Sequence, residues 1–209
     1  MGNLAILRQA IPSAQVSSLT TGSITLPSAR GAFTVPGDFV AISTVTLTAN
    51  TSTITFSDIP STYTHLQIRG ITRSTRTADR GGSPGLYFNG DTNNNYSWHR
   101  LWGDTTSIGS DGSTSDSKVF GIGLATNAET ANYMGSSIWD ILDYTNTSKL
   151  KTTRWIGGLN NNRTTDTGYI GLCGGLWNST AAITSITLLP NVNDWATSTT
   201  FALYGIKVS

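Results

Sequence analysis

The stretch STVTLTANTSTITFSDIPSTYTHLQIRG, running from Ser43 to Gly70, decides the fold. Val45 and Leu47 alternate with Thr46 and Thr48, and Ile54 and Phe56 alternate with Thr53, Thr55 and Ser57. That period of two buries one face of a strand. Two strands are expected, with Ala49 to Ser52 as a short polar link. Asp58-Ile59-Pro60 ends the second, because proline donates no ladder hydrogen bond and holds its predecessor in an extended conformation. Past this corner Leu66 and Ile68 point one way and His65, Gln67 and Arg69 the other, which marks a third strand. Ile54, Phe56, Leu66 and Ile68 are assigned to the core. The stretch identifies the fold, and function is expected in the arm before it and the loops after it.

Downstream, Thr72 to Gly85 reads as a polar loop that brings Arg73, Arg76 and Arg80 near Arg69. A solvated loop is the ordinary explanation, and a basic patch for an acidic partner the alternative. Leu86 to Phe88 is a strand, and Asn89-Gly90 accepts the positive φ of a tight turn. In YSWHRLWG, Tyr96, Trp98, Arg100 and Trp102 share one strand face. Such a row either lines a sandwich core with Arg100 reaching its edge, or contacts a protein or a glycan. Asp104 to Lys118 reads as a polar loop. VFGIGLATN follows, where Gly121 and Gly123 imply that a large side chain or another backbone passes close by. Ile138, Trp139, Ile141 and Leu142 mark a buried strand, and RWIGGLN, TGYIGLCGGLW, AAITSITLLP and TTFALYGIKVS supply four more. Gly205 interrupts the last of these, which is expected inside a sheet. About ten short strands with no helix outside the arm give the signature of an all-β sandwich or barrel.

Upstream, residues 1–39 are punctuated by Pro12, Pro27, Gly31, Pro36 and Gly37 into pieces too short to build a core. Leu4, Ile6, Leu7, Ile11, Phe33, Val35 and Phe39 are nevertheless more apolar surface than a solvated tail carries. The reading is an N-terminal anchoring arm, residues 1–39, that docks on a neighbouring subunit or another protein, followed by a sandwich domain at 40–209.

Composition limits the function classes. Only 12% of the 209 residues are charged, against about a quarter in an average soluble domain, so hydroxyls and amides dominate the surface. Thirteen basic and twelve acidic residues give a formal charge of +1. No long-range field gathers phosphates, so neither nucleic acid nor an anionic membrane is an expected partner. Cys173 is the only cysteine, which excludes an intrachain disulfide and a cysteine-built zinc site. No apolar run is long enough for a spanning helix, and the first residues lack the pattern of a signal peptide.

Catalytic patterns fail on their own chemistry. GGSPG at Gly81 to Gly85 copies the nucleophile-elbow string, but Pro84 lacks the N–H that an oxyanion needs there. Ser115 to Lys118 matches one β-lactamase motif without its companions. Asn89, Asp91, Asn93 and Asn95 have the spacing of a calcium loop but lack its sixth-position glycine and its twelfth-position acid. His65 and His99 have no partner motif. Glu129 is the only glutamate, and Asp140 and Asp143 sit at an odd spacing that sends them to opposite strand faces. No enzyme, metal or cofactor is expected.

Taken in order, TITFSDIPSTYTHLQIRG, Arg73-Ser74, LYFNGD, NYSWHRLWG and FALYGIKV resemble a family of β-sandwich proteins of tailed bacteriophages, described as virion structural, head-decoration or tail-fibre proteins. The likeness spans roughly Val40 to Ser209. It implies a jelly-roll-like antiparallel β-sandwich, non-enzymatic and displayed on a virus particle, assembled in the host cytoplasm and held by its arm to major capsid or tail proteins. It also implies a homo-oligomer, a trimer by analogy. The alternative is a tail-associated carbohydrate-binding domain for host adsorption, with Trp98, Arg100 and Trp102 contacting a host-surface glycan.

Overall fold

The computed structural model describes residues 39–77, 83–160 and 168–207. Among these every regular element is a strand: β1 (Phe39–Thr46), β2 (Ile54–Phe56), β3 (His65–Ser74), β4 (Gly85–Phe88), β5 (Tyr96–Asp104), β6 (Ile108–Asp116), β7 (Val119–Phe120), β8 (Ala125–Thr126), β9 (Gly135–Ile141), β10 (Lys151–Asn160), β11 (Gly168–Trp177), β12 (Ile186–Leu189) and β13 (Thr200–Ile206). Eight of them form one sheet in the order β1-β13-β3-β9-β10-β11-β5-β6, with β8 beside β3 as a ninth. A second sheet runs β2-β12-β4-β7. Every pairing is antiparallel except β3 with β8.

One apolar cluster joins the two sheets into a sandwich. Ile54, Phe56, Leu86, Phe88, Ile186 and Leu188 enter it from the small sheet, and Leu66, Ile68, Trp139, Trp155, Trp177 and Phe201 from the large one. Ile54, Phe56, Leu66 and Ile68 are all buried, while His65, Gln67 and Arg69 point outward. The opening stretch therefore holds pieces of both sheets: β1 and β3 belong to the large one and β2 to the small one. Its corner carries the chain across, with Ile59 buried beneath it and the Tyr144 hydroxyl donating to the Pro60 carbonyl.

The Asn89-Gly90 turn also crosses between sheets. Both residues have positive φ, 52° and 71°, and Asp91 N–H donates to Phe88 O at 2.8 Å to close the turn. The two close approaches implied by glycine are visible. A Cβ on Gly121 would fall 0.5 Å from the Trp155 ring, and one on Gly123 would meet the backbone N of Gly158 at 2.6 Å. β13, with Gly205, runs between β1 and β3.

Three expectations need correction. The span Asp104 to Lys118 contains a nine-residue edge strand, β6, paired along β5. Its sequence, IGSDGSTSD, has little strand propensity, but pairing to a neighbour overrides propensity, and polar residues suit an open edge. The loop assigned to Thr72 begins three residues later, because β3 continues to Ser74. The segment Ile138 to Leu142 is not buried throughout: Trp139 and Ile141 face the core while Ile138 and Leu142 are exposed. Adjacent strand residues cannot share a face.

Candidate functional site

The aromatic row of β5 faces inward and is engaged within the molecule. Tyr96 is buried, and its hydroxyl accepts from Phe88 N–H at 2.9 Å and donates to Asp91 O at 3.0 Å. Trp98 is half-buried, donates Nε1–H to Asp116 at 3.2 Å and meets the Phe120 ring edge-on at 5.4 Å. Arg100 grips Asp111 on β6 with two hydrogen bonds of 2.5 and 2.7 Å, donates to Ser83 Oγ at 2.7 Å, and lies 5.3 Å from the Trp98 ring centre. That guanidinium holds the Asp111 carboxyl below its ordinary pKa. Trp102 lies over Gly109, where a Cβ would come within 2.4 Å of the ring. Together Trp98, Arg100 and Trp102 fasten edge strand β6 to β5.

Leu4, Ile6, Leu7, Ile11, Phe33 and Val35 lie outside the described residues. Phe39 is the first residue of β1 and 41% exposed. Its ring stacks on Tyr204 at 4.7 Å, and the Arg69 guanidinium lies over both rings at 5.1 and 5.4 Å. Of the four arginines read as a cluster, Arg80 lies outside the described residues, and Arg73 is engaged by backbone carbonyls. Its guanidinium donates to the carbonyls of Glu129, Thr130 and Tyr133 and to Asn127 Oδ1, pinning the segment before β9.

The described aspartates near the expected sites hold loops and strands together. Asp91 accepts from Asn93, Asn95 and Trp177 Nε1, the last at 2.7 Å. Burial alone would raise its pKa, but these donors outweigh it and the carboxyl sits below its usual value. Asp140 accepts from Gln67 at 2.8 Å and from Arg154 at 2.7 Å. Asp143, beyond the strand at φ 47°, accepts from Lys149 at 2.8 Å, which lowers its pKa. The Cys173 thiol is buried, which pushes its pKa up to about 12. Among the described residues no three His, Cys, Asp or Glu side chains converge on a common point.

What the strand registers do bring together is an apolar row on the outer face of the large sheet. Ile138, Ile156, Leu172 and Leu101 stand side by side on β9, β10, β11 and β5. They are 37%, 49%, 47% and 57% exposed. The next row runs Ile71, Ser136, Gly158, Ile170, Gly103 and Ile108. Its glycines leave a shallow trough of about 1020 Å³ bordered by Ile71, Ile138, Ile156 and Ile170. On the other side the rim is polar: Arg69 donates to Gln67, Gln67 to Asp140, and Arg154 to Asp140. A contiguous apolar patch inside a polar rim is the mark of an interaction surface.

The sequence reading missed this face for a physical reason. In β11, Ile170 and Leu172 alternate with Gly171, Cys173 and Gly175, and the larger residues look like the buried set. The reverse holds, because Ile122 and Val119 occupy the places where Gly171 and Gly175 would carry side chains. The available signal was apolar residues at both parities of one strand, Ile138 beside Trp139 and Trp155 beside Ile156. Comparison with protein-family models and with curated proteins gives no match.

Proposed function

We propose that this chain is a non-enzymatic structural protein of a tailed-bacteriophage particle, a capsid decoration or fibre component that works by assembly. The observation that carries the reading is the exposed row Ile138, Ile156, Leu172 and Leu101, apolar surface that the sandwich core does not use. Three further features support it: a low-charge, hydroxyl-rich composition, the commitment of Asp91, Asp111, Asp140 and Asp143 to structural hydrogen bonds, and the ordered resemblance of Val40 to Ser209 to phage virion sandwiches. In this reading residues 1–39 anchor the sandwich to capsid or tail proteins, and the protein resides in the virion. Purified virus particles analysed by quantitative mass spectrometry and three-dimensional reconstruction test it. The expected result is a fixed stoichiometry and density for the sandwich on the particle. Absence of the chain from infectious particles overturns the reading.

A further inference from the structure

We infer that the outer face of the nine-stranded sheet binds the same face of a second copy of this chain, back to back about a two-fold axis. The inference rests on the assembly reading above and names the partner. Exposed apolar surface is concentrated on this one face. Of the eleven large apolar side chains that are well exposed among the described residues, seven stand in its two rows. A single patch can satisfy itself only by meeting its own copy across a two-fold, whereas a ring of three needs two different complementary patches on each subunit.

The size fits. Outward positions are spaced about 4.8 Å across strands and about 6.8 Å along them, so the two apolar rows with the polar row of Gln67, Asp140, Arg154 and Gly174 beside them, over six strands, cover roughly 600 Å² per copy. Two such faces bury about 1,200 Å², the lower limit of a stable specific interface. The shape fits as well. Gly103 and Gly174 interrupt the face, and a Cβ would meet nothing within 4 Å on Gly174 and nothing nearer than 3.8 Å on Gly103. Isoleucines and leucines of a facing sheet have room there at the roughly 10 Å spacing of stacked sheets. Charge does not oppose the approach. The rim carries both signs in Asp140, Arg154 and Arg69, and the chain has a formal charge of only +1, a condition that favours association.

Sedimentation equilibrium of the full chain tests this, comparing the native protein with Ile156→Asp, Leu172→Asp and, as control, Thr55→Asp on the outer face of the small sheet. The native protein and Thr55→Asp are expected as dimers. The two outer-face variants are expected to be folded by circular dichroism and to associate about a hundredfold more weakly, since each places facing carboxylates in an apolar contact. A second measurement does not depend on a disruptive change: maleimide labelling of Ile156→Cys slows as protein concentration rises, with buried Cys173 contributing little. A monomeric native protein overturns the inference. So does an oligomer of any order that survives both aspartate variants, or labelling that ignores concentration. Any of these leaves the particle assignment standing, because presence in purified virus is read independently.

Discussion

The outer faces of the two sheets are built from opposite materials. On the small sheet the central row is Thr55, Thr187 and Tyr87, with the two threonine hydroxyls hydrogen-bonded at 2.9 Å. On the large sheet the central row is Ile138, Ile156, Leu172 and Leu101. Both sheets direct the residues that hold the sandwich together inward. On the small sheet the exposed position of that row is a threonine, Thr55, whereas on the large sheet the exposed positions are isoleucines and leucines. In the proposed dimer the apolar row of the large sheet is covered by a second copy of the chain.

This contrast can be strained from several directions, beginning with the side chain that sets the scale for a residue the fold does need. Trp155 precedes Ile156 on β10 and is 3% exposed, its ring filling the space above Gly121. Trp155→Ala is expected to cost about 3–5 kcal/mol in urea unfolding, the range for a buried aromatic. A loss below about 1 kcal/mol there would erase the distinction between the two faces of the strand.

Next in size is the loop carboxylate. Asp91→Ala leaves the Trp177 indole N–H and the amides of Asn93 and Asn95 without their acceptor, a loss of about 1–3 kcal/mol. Because the folded carboxyl titrates below its unfolded value, its contribution is complete above about pH 3.9 and declines as pH falls below that toward the folded pKa. Melting temperature followed against pH should show a shallower acid decline in the variant than in the native chain. Smaller still is Thr187→Val, which removes the hydroxyl pair of the small sheet and is expected to cost about 0.5–1.5 kcal/mol by the same assay. If that change raised stability, the hydroxyl face would be a compromise instead of a satisfied surface.

Most of the fold was legible in the sequence, because period-two alternation directly reports which residues a sandwich buries. Ile54, Phe56, Leu66 and Ile68 were placed in the core from alternation alone. Gly121 and Gly123 point to close approaches from the sequence alone, because the absence of a Cβ is itself a steric statement. β6 was not legible, since IGSDGSTSD becomes a strand only through its neighbour β5. The outer apolar row was hidden for a different reason. Register across β9, β10, β11 and β5 is a long-range property, and glycines that receive another strand's side chains invert the usual reading of which face is inside. Trp98 and Trp102 drew attention as aromatic residues, but their surroundings, Asp116, Phe120 and Gly109, come from segments whose proximity no local pattern encodes.

The smallest expected effect on the folded chain itself is also the most direct test. At low protein concentration Ile156→Asp should change stability by no more than about 0.5 kcal/mol, as for other surface substitutions. The melting temperature of the native protein should rise with protein concentration, because association stabilises the folded state by mass action. That of Ile156→Asp should not. A native melting temperature independent of concentration, or an equal rise in both proteins, would contradict the claim that the outer face of the large sheet is where copies of this chain meet.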